Sequence, residues 1–169
     1  MKSHSLPGLV LAACCLSVAP AGAASFAEGD HRMHVHATGS FSITMTPSAA
    51  PQRSGRTTLG KVLLDKVYAG DLVATATGEM LNAVTDTRGA AAYVAMEAIT
   101  GVLQGREGSF VAQHAGTMAD GKQQLSIVIV PHSGTGQLTG ISGTLAIRIV
   151  NGQHFYDIDY SLPEPEPQP

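Results

Sequence analysis

Two residues capable of acid–base chemistry lie in neighbouring alternating segments near the middle of the chain. The segment 93–99 contains Glu97 and the segment 109–114 contains His114. Because strand side chains alternate between two faces, each residue falls in a mainly apolar row. A carboxylate in a buried row needs a partner, and His114 across a hairpin could supply it. The pattern allows Glu97 to be a general base or ligand anchor with a raised pKa and His114 its acid partner. It equally allows a structural hydrogen bond, or a solvent-facing position for one of the two.

Further polar and aromatic residues extend this candidate site. Glu79 shares a predicted strand face with Thr75 and Thr77, so it is a third candidate for a catalytic group. In a small barrel, inward side chains fill the interior and leave at most a small cavity at one mouth. The residues expected to line a ligand site there are Tyr93, Glu97, Phe110, Gln113, His114, Tyr156 and Tyr160.

His34 and His36 are separated by one residue, which places both imidazoles on one face of a strand. Two-histidine metal sites use this spacing, but a third ligand would have to come from Asp30, His31 or the distant His132. Without a full ligand set, the pattern favours solvated histidines. We therefore expect no metal and no cofactor.

The first 24 residues have the pattern of an export signal. Lys2 precedes an apolar run over 9–18, and small residues at 21–23 form a cleavage pattern. The run is too short to anchor the chain in a bilayer, so we expect no membrane span. The pattern predicts a cleaved signal peptide at 1–24 and a periplasmic or extracellular protein. The alternative is a lipoprotein acylated at Cys14.

Charge and cysteine content exclude several classes of protein. The formal net charge of -3 comes from scattered residues, and the chain has no basic stripe with interleaved aromatic residues. We therefore expect no nucleic-acid partner. Both cysteines, Cys14 and Cys15, lie in the predicted leader, so the mature chain would have neither a disulfide nor a thiolate nucleophile. About 145 residues remain, which is enough for one domain with its own core.

The rest of the chain has the pattern of short strands joined by glycine turns, and no stretch has a helical period. Asp120-Gly121 and Asn151-Gly152 are typical of tight hairpin turns. About eight such strands in one domain predict an all-β fold, a single closed antiparallel β-barrel. The predicted strands cover 34–45, 59–68, 72–81, 93–99, 109–114, 125–130, 144–150 and 154–162.

The domain boundaries follow from these segments. We place a polar, flexible lead at 25–33, the barrel domain at 34–162 and a disordered tail of proline and glutamate at 163–169.

Six segments run in order through nearly all of the predicted mature chain and resemble one known family. The segments are HATGSF at 36–41, LGKVLLDKVYAGDL at 59–72, TGEML at 77–81, YVAMEAITGVLQGREGSFVAQHAGTM at 93–118, VPHSGTGQLTGISG at 130–143 and HFYDIDYSL at 154–162. On these segments the chain is similar to the bacterial DUF3224 family. The resemblance implies a barrel related in fold to the plant allene oxide cyclases, which bind an apolar epoxide inside an oligomeric barrel, and it implies no established activity. The predicted leader and tail depart from the usual family pattern.

Three functions are consistent with this sequence. The first is an exported barrel that binds a small, largely apolar ligand, because barrel mouths provide concave apolar sites with few polar groups. The second is a cofactor-free isomerase or cyclase, by fold analogy with allene oxide cyclase. The third is a structural or interaction protein with a filled barrel. A homo-oligomer formed through an apolar barrel face is also expected, and the sequence leaves open whether the protein is an enzyme.

Overall fold

Nine strands follow one another along residues 32–164, the part of the chain that the computed structural model describes. The sheet order is β1-β9-β8-β7-β6-β5-β4-β3-β2, and β1 also pairs with β3. Eight strands therefore close a barrel, and β2 lies beside β3 outside the closed ring. The strands are β1 (Arg32–Pro47), β2 (Gln52–Ser54), β3 (Thr57–Gly70), β4 (Leu72–Thr85), β5 (Ala91–Leu103), β6 (Arg106–Ala119), β7 (Lys122–Ile129), β8 (Ser142–Val150) and β9 (Gln153–Pro163).

The predicted closed antiparallel barrel of about eight strands is confirmed. A short 3-10 helix, Gly136–Leu138, lies between β7 and β8. Among residues 32–164 there is no helix with the length and apolar character needed to cross a membrane.

Tight turns set the register of three hairpins. Asp120-Gly121 and Asn151-Gly152 have positive φ at both positions, 52° and 72° in the first pair and 52° and 80° in the second. Gln104-Gly105 between β5 and β6 has the same geometry, with φ of 45° and 82°. Two positive φ values are characteristic of the turn whose twist matches that of paired strands. The turns predicted at Asp120 and Asn151 are therefore confirmed, and the turn at Gln104 brings β5 against β6.

The barrel extends beyond the predicted boundaries of 34–162. Strand β1 begins at Arg32, so two residues of the predicted flexible lead belong to the sheet. The Arg32 guanidinium donates hydrogen bonds to the carbonyl of Gly140 at 2.6 Å and to Ser142 Oγ at 2.9 Å. These bonds attach the start of β1 to the loop before β8. The predicted signal peptide, the rest of the lead and the tail from residue 165 lie outside the described residues.

The two ends of the barrel differ in burial. At the end that holds the β5–β6 hairpin, Leu138 and Ile141 from the loop before β8 are almost fully buried and cover the interior. At the opposite end, which we call the mouth, the inward side chains are only half-buried. They include Ile43, Val62, Met80, Tyr93, Leu125 and Ile147, together with the polar Asn82 and His154.

Candidate functional site

Four polar side chains meet inside the barrel, and we call them the buried cluster: Lys66, Tyr68, Glu97 and His114. Only 5%, 3%, 1% and 4% of these residues, respectively, is exposed. Lys66 and Tyr68 lie on β3, Glu97 on β5 and His114 on β6. Strand alternation points them inward, into an interior that is otherwise mainly apolar.

Both oxygens of the Glu97 carboxylate are occupied. Lys66 Nζ donates a hydrogen bond to Oε2 at 2.6 Å, and the Tyr68 hydroxyl donates to Oε1 at 2.7 Å. Charge-assisted bonds of this length are the stronger kind of protein hydrogen bond. The ammonium group also lies 4.8 Å from the centre of the Phe41 ring, which adds a cation–π contact.

His114 contacts the same carboxylate with poorer geometry. Its Nε2 lies 2.9 Å from Glu97 Oε2, which is ion-pair distance. The ring nitrogen does not point along that line, however, so the contact is close but is not a well-aligned hydrogen bond. Among residues 32–164, Nε2 of His114 is the buried side-chain atom left without such a bond. An unsatisfied buried polar atom of this kind calls for an explanation.

The cluster keeps Glu97 ionised. Burial by itself raises the pKa of Glu97. The contact with His114, the charge and hydrogen bond of Lys66 and the hydroxyl of Tyr68 lower this pKa by more than burial raises it, so that the result is about 2. The alternative in which Glu97 has a raised pKa is therefore not supported, because Lys66 and Tyr68 help to hold the pKa of this carboxylate low. Burial, and then the neighbouring carboxylate, raise the pKa of Tyr68, so this phenol stays protonated and acts as a donor.

The predicted contact between Glu97 and His114 is confirmed. In the register of β5 and β6, Ala95 pairs with His114 and Glu97 with Ala112, so the two polar residues are diagonal neighbours on one face. The partner on the other side of Glu97 is Lys66, which lies two strands away on β3. Strand β4 lies between β3 and β5 and places small residues inward there, with Ala76 opposite Lys66 and Gly78 opposite Glu97. The long lysine side chain can therefore reach across β4.

The four predicted aromatic site residues all point inward, and one of them contacts the cluster: the Tyr156 ring packs edge-on against Tyr68, with 5.5 Å between ring centres. Phe110 is buried in the hydrophobic core. The Tyr156 hydroxyl accepts a hydrogen bond from the backbone N–H of Leu72 at 2.8 Å, and the Tyr160 hydroxyl donates to Gln104 Oε1 at 2.8 Å. Tyr93 is half-buried at the mouth, where its ring lies against the backbone of Gly116.

Glu79 and Gln113 lie on the outside of the barrel. Glu79 forms an ion pair with Lys61 at 2.9 Å, and the two side chains are 58% and 42% exposed. Gln113 is also exposed, on the outer face of β6. The structure therefore does not bring either residue to the cluster. The predicted face of Glu79 with Thr75 and Thr77 exists, but it is the solvent face, and the inward face of β4 has small residues instead.

The two candidate metal-binding histidines lie on the outer face of β1. Both are exposed, and His36 Nδ1 lies 2.7 Å from Asp159 Oδ1, while its Nε2 lies 3.7 Å from Asp157 Oδ1. In the described part of the chain, no three His, Cys, Asp or Glu side chains come together in an arrangement that could hold a metal ion.

Lys66 and Tyr68 are the site residues that sequence reasoning missed. The sequence did contain a signal for them, because Lys66 shares a strand face with Leu64 and Tyr68. A lysine in one apolar row is the natural partner of a glutamate in another, since a buried charge needs an opposite charge beside it. Five clefts formed by residues 32–164 are open to solvent, and no member of the buried cluster lines any of these five.

Fold and site together define a closed eight-stranded antiparallel barrel with a buried ion cluster. A family described as "Protein of unknown function (DUF3224)" matches residues 37–160, and the chain belongs to this family. The chain is also similar to a crystal structure of a DUF3224-family protein of unknown function from Shewanella oneidensis MR-1. The two are 47% identical over 79% of this chain and 100% of that chain, with a TM-score of 0.73. The predicted resemblance is confirmed. None of the curated proteins matches this chain.

Proposed function

We propose that this barrel binds a small, largely apolar molecule at its mouth and uses the buried cluster as the polar anchor. The observation that carries the proposal is the burial of Lys66, Glu97 and His114 in an otherwise apolar interior. Replacing a buried ion pair by hydrophobic residues of similar volume is often neutral or stabilising. A barrel that served only as a packed scaffold would therefore have no energetic need of these charges. A few polar groups at the base of an apolar concavity are what orients a bound ligand.

The mouth lies directly above the cluster. Along the inward face of β5, only Ala95 lies between Tyr93 at the mouth and Glu97. The half-buried side chains of the mouth are mainly apolar and would hold the body of the ligand. His114 Nε2 lies 2.9 Å from Glu97 Oε2 without an aligned hydrogen bond, so it is the cluster atom that could turn from Glu97 to a ligand oxygen at the lowest cost.

The electrostatics favour a binding protein over an isomerase or cyclase. A general base works best when its pKa lies near the working pH. The pKa of Glu97 is lowered to about 2, and both of its oxygens already accept hydrogen bonds. Glu97 is therefore suited to holding a fixed charge rather than to taking up a proton.

The experiment is native mass spectrometry of the protein purified from its own host, to look for a retained small molecule. The test variant is His114→Leu, and the matched control is Glu79→Gln, because Glu79 lies outside the barrel. We expect a retained molecule in the wild type and in the control, and its loss from His114→Leu with an unchanged circular dichroism spectrum. A wild type without a ligand, or equal retention in His114→Leu, would contradict the proposal and favour a filled barrel that works through its outer surface.

We further propose that the protein acts outside the cytoplasm, on the basis of the leader pattern at 1–24. N-terminal mass spectrometry of the mature protein should find the chain beginning near Ala24. An acylated Cys14 would contradict signal-peptide cleavage and support the lipoprotein alternative.

A further inference from the structure

The outer surface of the barrel has more large apolar residues on one side than on the other. On β1, β8 and β9 the outward residues include His36, Arg148, Asp157 and Asp159. On β3, β4 and β5 they include large apolar residues that are 39% to 56% exposed. We call this second region the outer patch. It consists of Leu59, Leu63, Leu81, Val94 and Met96, with the small residues Ala83, Ala92 and Ala115 between them.

The strand register brings most residues of the outer patch together, with Glu79 between two of them. Leu81 of β4 pairs with Val94 of β5, and in the next row Leu63 of β3 and Met96 of β5 lie on either side of Glu79. Residues directly opposite each other on adjacent strands are in side-chain contact. Contiguous apolar surface of this kind, bordered by polar residues, marks an interaction site in soluble proteins.

The shape of the outer patch is a ridge between two clefts. One cleft has a volume of about 890 Å³ and the other about 610 Å³, and Leu81 and Val94 line both of them. The Leu81–Val94 pair is therefore the ridge. In a contact with two-fold symmetry, the same surface faces itself, so it must carry both a protrusion and a recess that fits it. The ridge of one copy can enter a cleft of the other.

The outer patch also contains charges of both signs. Lys61 and Glu79 form one ion pair, 2.9 Å long, at the wall of the larger cleft. This pair can face a second copy of itself without an excess of like charge, and the exposed Asp65 lies beyond Leu63 at the edge of the outer patch. A strongly basic or acidic partner finds no complementary surface there.

We infer that the outer patch is the contact with a second copy of this chain, related by a two-fold axis. The axis passes beside the Leu81–Val94 ridge, so that each ridge enters a cleft of the other copy near the middle of the contact, where large apolar residues contribute most to binding. The inference is independent of the proposed ligand, because the outer patch and the buried cluster lie on opposite faces of β3 and β5.

The test is sedimentation equilibrium of the mature protein, with the variants Leu81→Glu and Val94→Glu. The matched control is Val150→Glu, because Val150 is 48% exposed on the outer face of β8, away from the outer patch. We expect a wild-type dimer, a dissociation constant raised at least about 100-fold in each patch variant, and a dimer in the control. Circular dichroism melts establish that every variant is folded.

Three results would overturn the inference. They are a monomeric wild type at ~100 μM, well above the dissociation constants of stable dimers; a trimer or larger ring, which two-fold symmetry does not produce; and patch variants that dimerise as tightly as the wild type.

Discussion

Lys66 Nζ and Glu97 Oε2 lie 2.6 Å apart inside the barrel, although a complete strand, β4, separates β3 from β5. The pair is possible because β4 turns Ala76 and Gly78 inward at this level. Since the two side chains are only 3% and 1% exposed, solvent does not screen the interaction. Each charge is therefore stable in the interior only as long as the other is present.

Loss of one partner should destabilise the barrel strongly. Lys66→Met keeps the length of the side chain but leaves Glu97 without its cation, and breaking a buried pair in this way costs about 3–5 kcal/mol. Urea unfolding at pH 7 measures the change. The matched control is Lys61→Met, which breaks the exposed pair with Glu79 and should cost about 0–1 kcal/mol. Equal effects in the two variants would mean that the buried pair is not a significant source of stability.

Stability should fall in acid because of Glu97. Its pKa is lowered from 4.5 to about 2 in the fold. Because the folded pKa is below the unfolded one, ionised Glu97 stabilises the fold above pH 4.5, and this contribution is lost as the pH falls from about 4.5 to about 2. The contribution is on the order of 3 kcal/mol.

Urea midpoints measured from pH 2 to pH 7 test this expectation. In Glu97→Gln the stability should vary less between about pH 4.5 and pH 2 than in the wild type, whatever the absolute stability of the variant. Glu79→Gln, on the outer face, should follow the wild-type profile. A Glu97→Gln profile parallel to the wild type would show that another group causes the acid sensitivity.

Gly116 should be required for the position of Tyr93. A Cβ atom at residue 116 would collide with the Tyr93 ring, so Gly116→Ala must displace that ring from the mouth. Overpacking of this kind typically costs about 1–3 kcal/mol. In a Tyr93→Ala background the same substitution should cost much less, and thermal unfolding of the four proteins gives the coupling between the two residues. Additive effects would mean that the ring does not rest on this glycine.

The Tyr156 hydroxyl should matter more than that of Tyr160. Tyr156→Phe leaves the buried N–H of Leu72 without an acceptor, which typically costs about 1–3 kcal/mol. Tyr160→Phe frees the amide oxygen of Gln104 and removes a hydrogen-bond contact with Arg106, and Gln104 is an exposed residue that can bond to water instead. Urea unfolding of both variants compares the two losses, and a larger loss in Tyr160→Phe would contradict the explanation.

The fold could be predicted well from the sequence because its signals are local. Alternation over β1 and β9 marks which residues face the interior, and Asp120-Gly121 and Asn151-Gly152 determine two hairpin turns. The contact between Glu97 and His114 follows from the same kind of information. A two-residue turn between β5 and β6 sets the register, and the register sets which side chains are diagonal neighbours.

The candidate site could be predicted only in part because polarity does not mark the faces of β3 and β4. The inward face of β3 has Lys66 and its outward face has Leu63 and Val67, while the outward face of β4 combines Val73 with Glu79. A pattern with apolar residues on both faces leaves the inward direction undefined. For this reason Glu79 was included in the predicted site and Lys66 was not.

By itself, the sequence determined the antiparallel strands, their turns and the one polar contact that a short hairpin creates. Only the tertiary structure decided which face of each strand became the interior, and only it brought Lys66 and Tyr68 to Glu97 across β4. The physical reason is that closure of the sheet is a property of all eight strands together. Whether a carboxylate is a strong or a weak base depends on the charges that this closure places around it.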